Sequence, residues 1–233
     1  MKKTTLHLII ILALCEVTFR PALGAPLNEL SVRQKSAGWV MLFDGKTSKG
    51  WRNFKKPTFP EKGWLIENGI LKHVAKGGGG DLMSETAYDN FDLEWEWMVP
   101  AGANNGIKYL ITEKRSSVIG HEYQMIDDTT APHAKHTTGA FYDVLPPTKE
   151  KQSKPVGQWN HSRVLIQDNH VEHWLNGTKI LTYELGSEEV LKAVQNSKFK
   201  SVEGFGKKLR GHIILTEHQD EASYRNIKIR PLP

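Results

Sequence analysis

From about residue 36 onward, apolar residues recur at every second position in short runs separated by turn-forming stretches. The run FDLEWEWMV (91–99) sets Phe91, Leu93, Trp95 and Trp97 on one face and Asp92, Glu94, Glu96 and Met98 on the other. NNGIKYL sends Ile107, Tyr109 and Ile111 one way and Lys108 and Leu110 the other. HEYQMI (121–126) separates Tyr123 and Met125 from Glu122, Gln124 and Ile126, and HIILTEH groups Ile214, Thr216 and His218 against Ile213 and Leu215. A period of two is the signature of strands with one buried face. Further strands are predicted at 39–43, 63–67, 69–74, 139–144, 162–167, 170–175, 179–185 and 222–230. Asn68-Gly69 and Asn176-Gly177 supply hairpin turns, because both residue types accept a positive φ. About a dozen strands with little helix describe an all-β sandwich. GSEEVLKAVQNS (186–197) is the one helix candidate, with Ser187 as its cap and Glu188 and Glu189 at its positive end, and it is expected to be peripheral.

The 233 residues, with seven Trp, six Tyr and eight Phe, are enough for a single large domain with a substantial core. A net charge of +5 is spread without a block of like charges, so no nucleic-acid partner is expected. Lys2 and Lys3 precede the apolar run Leu6 to Cys15, and PALGA follows, which together read as a signal peptide over 1–24. The apolar run is about half of what spans a bilayer, so no membrane span is expected. The expected organisation is a signal peptide, a lead-in over 25–35 and one β-sandwich domain over 36–233, exported to the periplasm or beyond. LALC partly matches a bacterial lipobox, which makes a lipid anchor through Cys15 the alternative. Cys15 is the sole cysteine, so no intramolecular disulfide can form.

Acid–base chemistry draws on His, carboxylates and Lys or Arg, and the polar strand faces offer Glu122, Asp127, Lys108, His218 and Arg225 as catalytic candidates. Gln124, Glu96, Trp97, Asn105, Tyr142 and His173 are the candidate substrate contacts. His133, His136, His170 and His173 carry no H-x-H or H-E-x-x-H spacing, so no metal ligands and no cofactor are assigned, and a divalent metal stays open. KGGGGD (76–81) lacks the lysine and hydroxyl residue of a phosphate loop.

Six blocks in order, GWVMLFDGKTSKGW, GANNGIKYL, HEYQMIDD, TGAFYDVLPP, GQWNHSRVLIQDNHVEHWLNG and GHIILTEHQDEASYRNIKI, resemble the 3-keto-disaccharide hydrolase domain family. The resemblance runs from about residue 36 to the C-terminus. It implies a jelly-roll β-sandwich of the concanavalin A-like lectin/glucanase type, with action on sugars oxidised at C3. One block departs from the family pattern Leu-Gln-x-His-Gly, reading Leu215-Thr216-Glu217-His218-Gln219, which removes an amide able to bond substrate or Glu122.

A 3-keto group acidifies the hydrogen on C2, so a base can remove it, the C1 substituent can leave and water can then add. This route needs a base, an electrophile for the enolate oxygen and an acid. His218 or Glu122 is the candidate base, Lys108 or Arg225 the electrophile, and Asp127 or Glu122 the acid. Two other classes compete. A non-catalytic carbohydrate-binding module would stack sugars on Trp97, Tyr142, Trp159 or Trp174, and a conventional glycosidase would use the alternating Asp92, Glu94 and Glu96.

Overall fold

The computed structural model describes residues 26–233, so the expected signal peptide and Cys15 lie outside the described residues. The first strands are β1 (Val40–Met41), β2 (Trp51–Asn53), β3 (Trp64–Glu67), β4 (Ile70–His73), β5 (Leu82–Ser84), β6 (Asn90–Met98) and β7 (Asn104–Ile111). They are followed by β8 (His121–Ile126), β9 (Asn160–Gln167), β10 (His170–Leu175), β11 (Thr178–Glu184), β12 (His212–Leu215) and β13 (Ala222–Leu232). All pair antiparallel. The larger sheet runs β11-β10-β9-β6-β13-β4-β3 with β1 on β13, and the smaller runs β2-β5-β12-β7-β8. Helix α1 (Val32–Ser36) lies in the lead-in, and α2 (Glu188–Gln195) is capped by Ser187 and buries only Val190 and Val194. Among the described residues no helix is long and apolar enough to cross a membrane.

The core fills the space between the sheets, where Phe91, Leu93, Trp95 and Trp97 of β6 meet Ile107, Tyr109, Tyr123, Ile213 and Leu215 of the smaller sheet. Trp95 packs edge-on against Tyr123 with centroids 5.0 Å apart. Two bulges reset the simple alternation. Leu110 adopts φ 54°, the pairing of β7 with β12 shifts there, and Ile111 joins Met83 and Ile214 on the outer face rather than the core face expected for it. Asn226 does the same in β13 at φ 52°, so that Tyr224 and Ile227 both enter the core. The expected strand over 139–144 is reduced to a bridge between Tyr123 and Phe141 that adds a short edge to β8.

Three imidazoles are buried, and two of them, His121 and His173, sit among the aromatic rings between the sheets. His173 donates from Nδ1 to the Gly139 carbonyl at 2.9 Å, which leaves Nε2 to accept from the Tyr109 hydroxyl at 2.7 Å. His121 accepts the Gly206 N–H on Nε2 at 3.1 Å among the rings of Phe141 and Phe205. Burial depresses His173 to about 4 and His121 to about 3. Both folded-state values lie below the ordinary 6.5, so the unfolded chain takes up protons below pH 6.5 that the fold refuses. Their stabilisation is present above pH 6.5 and is lost as pH falls, at up to about 2.7 kcal/mol per pH unit for two protons. Urea unfolding at pH 7 and pH 5 checks this: the midpoint should be clearly lower at pH 5, and an unchanged or higher midpoint would contradict it.

Candidate active site

The outer face of the smaller sheet carries the unpaired chemistry. Strand register sets Lys108 directly opposite Glu122, and Ile214 opposite Lys108 on its other side. The Tyr142 N–H bonds the Glu122 carbonyl at 3.1 Å, which puts Tyr142 beside Glu122 at the end of the same row. The neighbouring row pairs Gly106 with Gln124, whose Nε2 donates to Asn104 Oδ1 at 2.8 Å. Gly106 is required here by close approach: a Cβ on it would lie 2.2 Å from Glu122 Oε1, so the carboxylate folds over the bare glycine. Thr216, the departure from the family pattern, places its Oγ1 2.7 Å from Asn105 Oδ1 and 2.9 Å from the Gly106 carbonyl, bracing the glycine from behind.

Glu122 is 7 % exposed, and no hydrogen-bond partner for its carboxylate is found among the described residues. Burial pushes its carboxyl above the usual range, opposed by the positive groups of Lys108, Lys198 and His218 and aided by Asp81. A nearly buried carboxyl with a raised pKa beside two lysines has the properties of a proton-transfer group. Lys108, Glu122, Lys198 and Phe199 line a cleft of about 320 Å³. Lys198 enters from the loop after α2, its Nζ 4.1 Å over the Tyr142 ring. Asp81 closes the glycine-rich loop; burial raises its carboxyl while Lys108 lowers it, and its Oδ1 accepts the Glu217 N–H at 3.0 Å.

Lys108, Glu122, Gln124 and Tyr142 thus share one face as the alternation implies, and His218 sits exposed at the rim, near enough to act electrostatically on Glu122. The other candidates lie elsewhere. Arg225 stands on the outer face of the larger sheet, paired with Glu96 at 2.7 Å and stacked on Trp159 at 4.1 Å, because Tyr224 takes the inward position before it. Glu96 goes with it, also accepting from Asn226 Nδ2 at 2.8 Å. Trp97 is interior, its Nε1 donating to Ser162 at 2.8 Å. Asn105 is fully buried and accepts from the Tyr224 hydroxyl, and His173 is the sealed imidazole described above. Asp127 caps a turn: the N–H groups of Gly102 and Thr129 and the Thr129 hydroxyl hold its carboxyl below the usual range, which disfavours it as an acid.

Asp81 and Lys198 were not reachable from strand periodicity, since both lie on loops. The Asp81 signal was the glycine run before it, which marks a close backbone approach rather than a phosphate cradle. A larger cleft of about 840 Å³ opens beside Asp127 and Asp128 at the 145–157 connection. Its two carboxylates are already engaged, Asp128 by Lys151 and Asp127 by its turn.

The glycosidase alternative loses its feature on the larger sheet. Asp92 is held by Arg163 and Arg230, Glu94 by Lys228 and His161, and Glu96 by Arg225. Despite the desolvation that opposes it, His161 and Lys228 keep Glu94 at about 2. Each carboxylate is occupied by a cation, with Asp92 buried beneath its two arginines and Glu94 and Glu96 partly exposed.

Comparison with known proteins agrees with this arrangement of strands. Residues 38–230 match the family described as the 3-keto-alpha-glucoside-1,2-lyase-like domain. The chain belongs to this family. A 3-keto-disaccharide hydrolase of Bacteroides thetaiotaomicron is 31% identical over 244 residues, covering 90% of this chain and 83% of the relative. A crystal structure from Parabacteroides distasonis, provisionally described as a glycosyl hydrolase, superposes with a TM-score of 0.81 at 31% identity, over 89% of this chain and 100% of that one. The carbohydrate binding module CBM66 from Bacillus subtilis shares the fold alone, with a TM-score of 0.50 at 12% identity over 78% of this chain and 95% of the module. The lyase-like domain of this chain is therefore an all-β jelly-roll sandwich, as the six sequence blocks imply.

Proposed function

We propose that this protein is a carbohydrate hydrolase that cleaves glycosides oxidised at C3, through elimination across C1–C2 followed by hydration. The observation that carries the reading is Glu122: a nearly buried carboxylate with a raised pKa and no hydrogen-bond partner among the described residues, facing Lys108 in one cross-strand row. Membership of a family named for 1,2-lyase chemistry, and a hydrolase relative covering 90% of the chain, support the same reaction class.

Glu122 takes the proton from C2, and the electrons of that C–H bond move toward the C3 carbonyl. The enolate oxygen gathers charge beside Lys108, with Lys198 as a second cation in the cleft. The C1–O bond then breaks, C1=C2 forms, and the proton held by Glu122 passes to the departing oxygen. Water adds its oxygen to C1 and returns a hydrogen to C2, giving the free 3-keto sugar. Burial suits Glu122 to this cycle, because raising the carboxyl pKa makes its carboxylate a stronger base toward the C2 hydrogen. Tyr142, beside Glu122 and beneath Lys198, is the side chain placed to meet the ring.

Incubating the protein with 3-keto-glucosides and with their unoxidised parents, and measuring the released aglycone, tests the substrate class. Release only from the keto compounds is expected. Equal release from both would refute the keto-dependent route, and release from neither would favour a binding module.

A further inference from the structure

We propose that His133, His136 and Asp143 form a divalent transition-metal site at the rim of the cleft. The ligand atoms of the three residues all lie within 4.8 Å of one another. Local structure brings them together. Residues Ala134–His136 form a 3₁₀ turn with His133 as its N-cap, closed by the His136 N–H, which bonds the His133 carbonyl at 2.9 Å. The His133 and His136 rings accordingly sit 3.9 Å apart. Asp143 is carried back to them by its own N–H, which bonds the Lys135 carbonyl at 3.0 Å. Its Oδ2 accepts the Lys198 N–H at 2.7 Å, leaving Oδ1 to face His136 Nε2 at 2.9 Å. Adjacent ligands on a metal with bonds near 2.0–2.2 Å stand about 3 Å apart, so the His136–Asp143 edge already has the spacing of a coordination edge.

Two imidazoles and one carboxylate form a nitrogen-rich donor set, which favours zinc and its first-row neighbours over calcium or magnesium. Three protein ligands leave at least one position open. The site lies beyond Tyr142, whose ring is 4.6 Å from that of His136, and Tyr142 adjoins Glu122. An ion there would pin the 133–143 loop against the cleft and present its open position to an oxygen donor. The site stands on these three side chains alone and does not depend on which glycoside the cleft accepts.

The test uses tag-free protein stripped with a chelator and titrated with Zn²⁺ by calorimetry, with metal content counted after gel filtration. One Zn²⁺ per chain is expected, with a rise in melting temperature that the chelator reverses. His133→Ala removes an exposed ligand and leaves packing alone, while Asp143→Asn suits the positive φ of 63° at that position. Each should weaken Zn²⁺ binding by at least about tenfold without unfolding the chain. Absence of saturable binding by the unaltered protein, or unchanged binding in both variants, would overturn the site. Because the readout is metal binding, it is independent of the sugar reaction, whose failure would appear in the aglycone assay alone.

Discussion

Glu122→Gln is expected to lower kcat/KM on 3-keto-glucosides by roughly 10²–10⁴-fold while leaving the fold intact. The amide keeps the size of the carboxyl and the cover over Gly106, but it cannot take the C2 proton. Its effect on stability has the opposite sign. Burial raises the Glu122 pKa, so the folded state holds this proton more tightly than the unfolded chain, and ionisation above the ordinary carboxyl range costs stability. Glu122→Gln should therefore be at least as stable as the unaltered protein at pH 7. The acid limb of the kcat/KM profile, set above the usual carboxyl value by the same burial, should vanish in the variant. A variant that retains activity, or that loses it only by unfolding, would remove Glu122 from the centre of the reaction.

Gly106→Ala is the second large effect, and it tests position rather than chemistry. The added methyl would stand 2.2 Å from Glu122 Oε1 and 2.9 Å from its Cγ, while the backbone of Gly106 lies outside the positive-φ region. The flexible carboxyl end must swing away, at small cost to stability. A displacement of about an ångström at a reacting group is worth on the order of 10²-fold in rate, so kcat should fall by about that factor. Denaturant unfolding beside steady-state kinetics checks it. Unchanged kcat would mean that the Glu122 position over Gly106 has no part in catalysis.

The outcome of the sequence reading follows the physics of strands. Where alternation is uninterrupted, as in β6 and β8, the faces of Trp95, Tyr123, Glu122 and Gln124 were legible from period two alone. Where a bulge inserts a residue, as at Leu110 and Asn226, the next side chain changes face, and nothing local in the sequence announces it. Arg225 illustrates a different limit. Alternation says that it opposes Tyr224, but which sheet β13 joins decides which side of the sandwich it meets, and that depends on long-range pairing with β6. Asn105 and His173 looked like ligand contacts because buried polar residues with internal partners have the same composition as binding residues. Loop-borne groups such as Lys198 and Asp81 need the tertiary fold before their proximity to Glu122 exists at all.

Hydrogen at C2 is the atom on which the proposed reaction turns. Running the cleavage of a 3-keto-glucoside in D₂O, and reading the C2 position of the released 3-keto sugar by mass spectrometry and NMR, follows that atom directly. A control with the free 3-keto sugar in buffer corrects for spontaneous exchange. Elimination and hydration require deuterium at C2 at the rate of turnover, with both turnover and incorporation lost together in Glu122→Gln. A product that keeps its original C2 hydrogen while the glycosidic bond is cleaved would contradict the elimination route and the role given to Glu122.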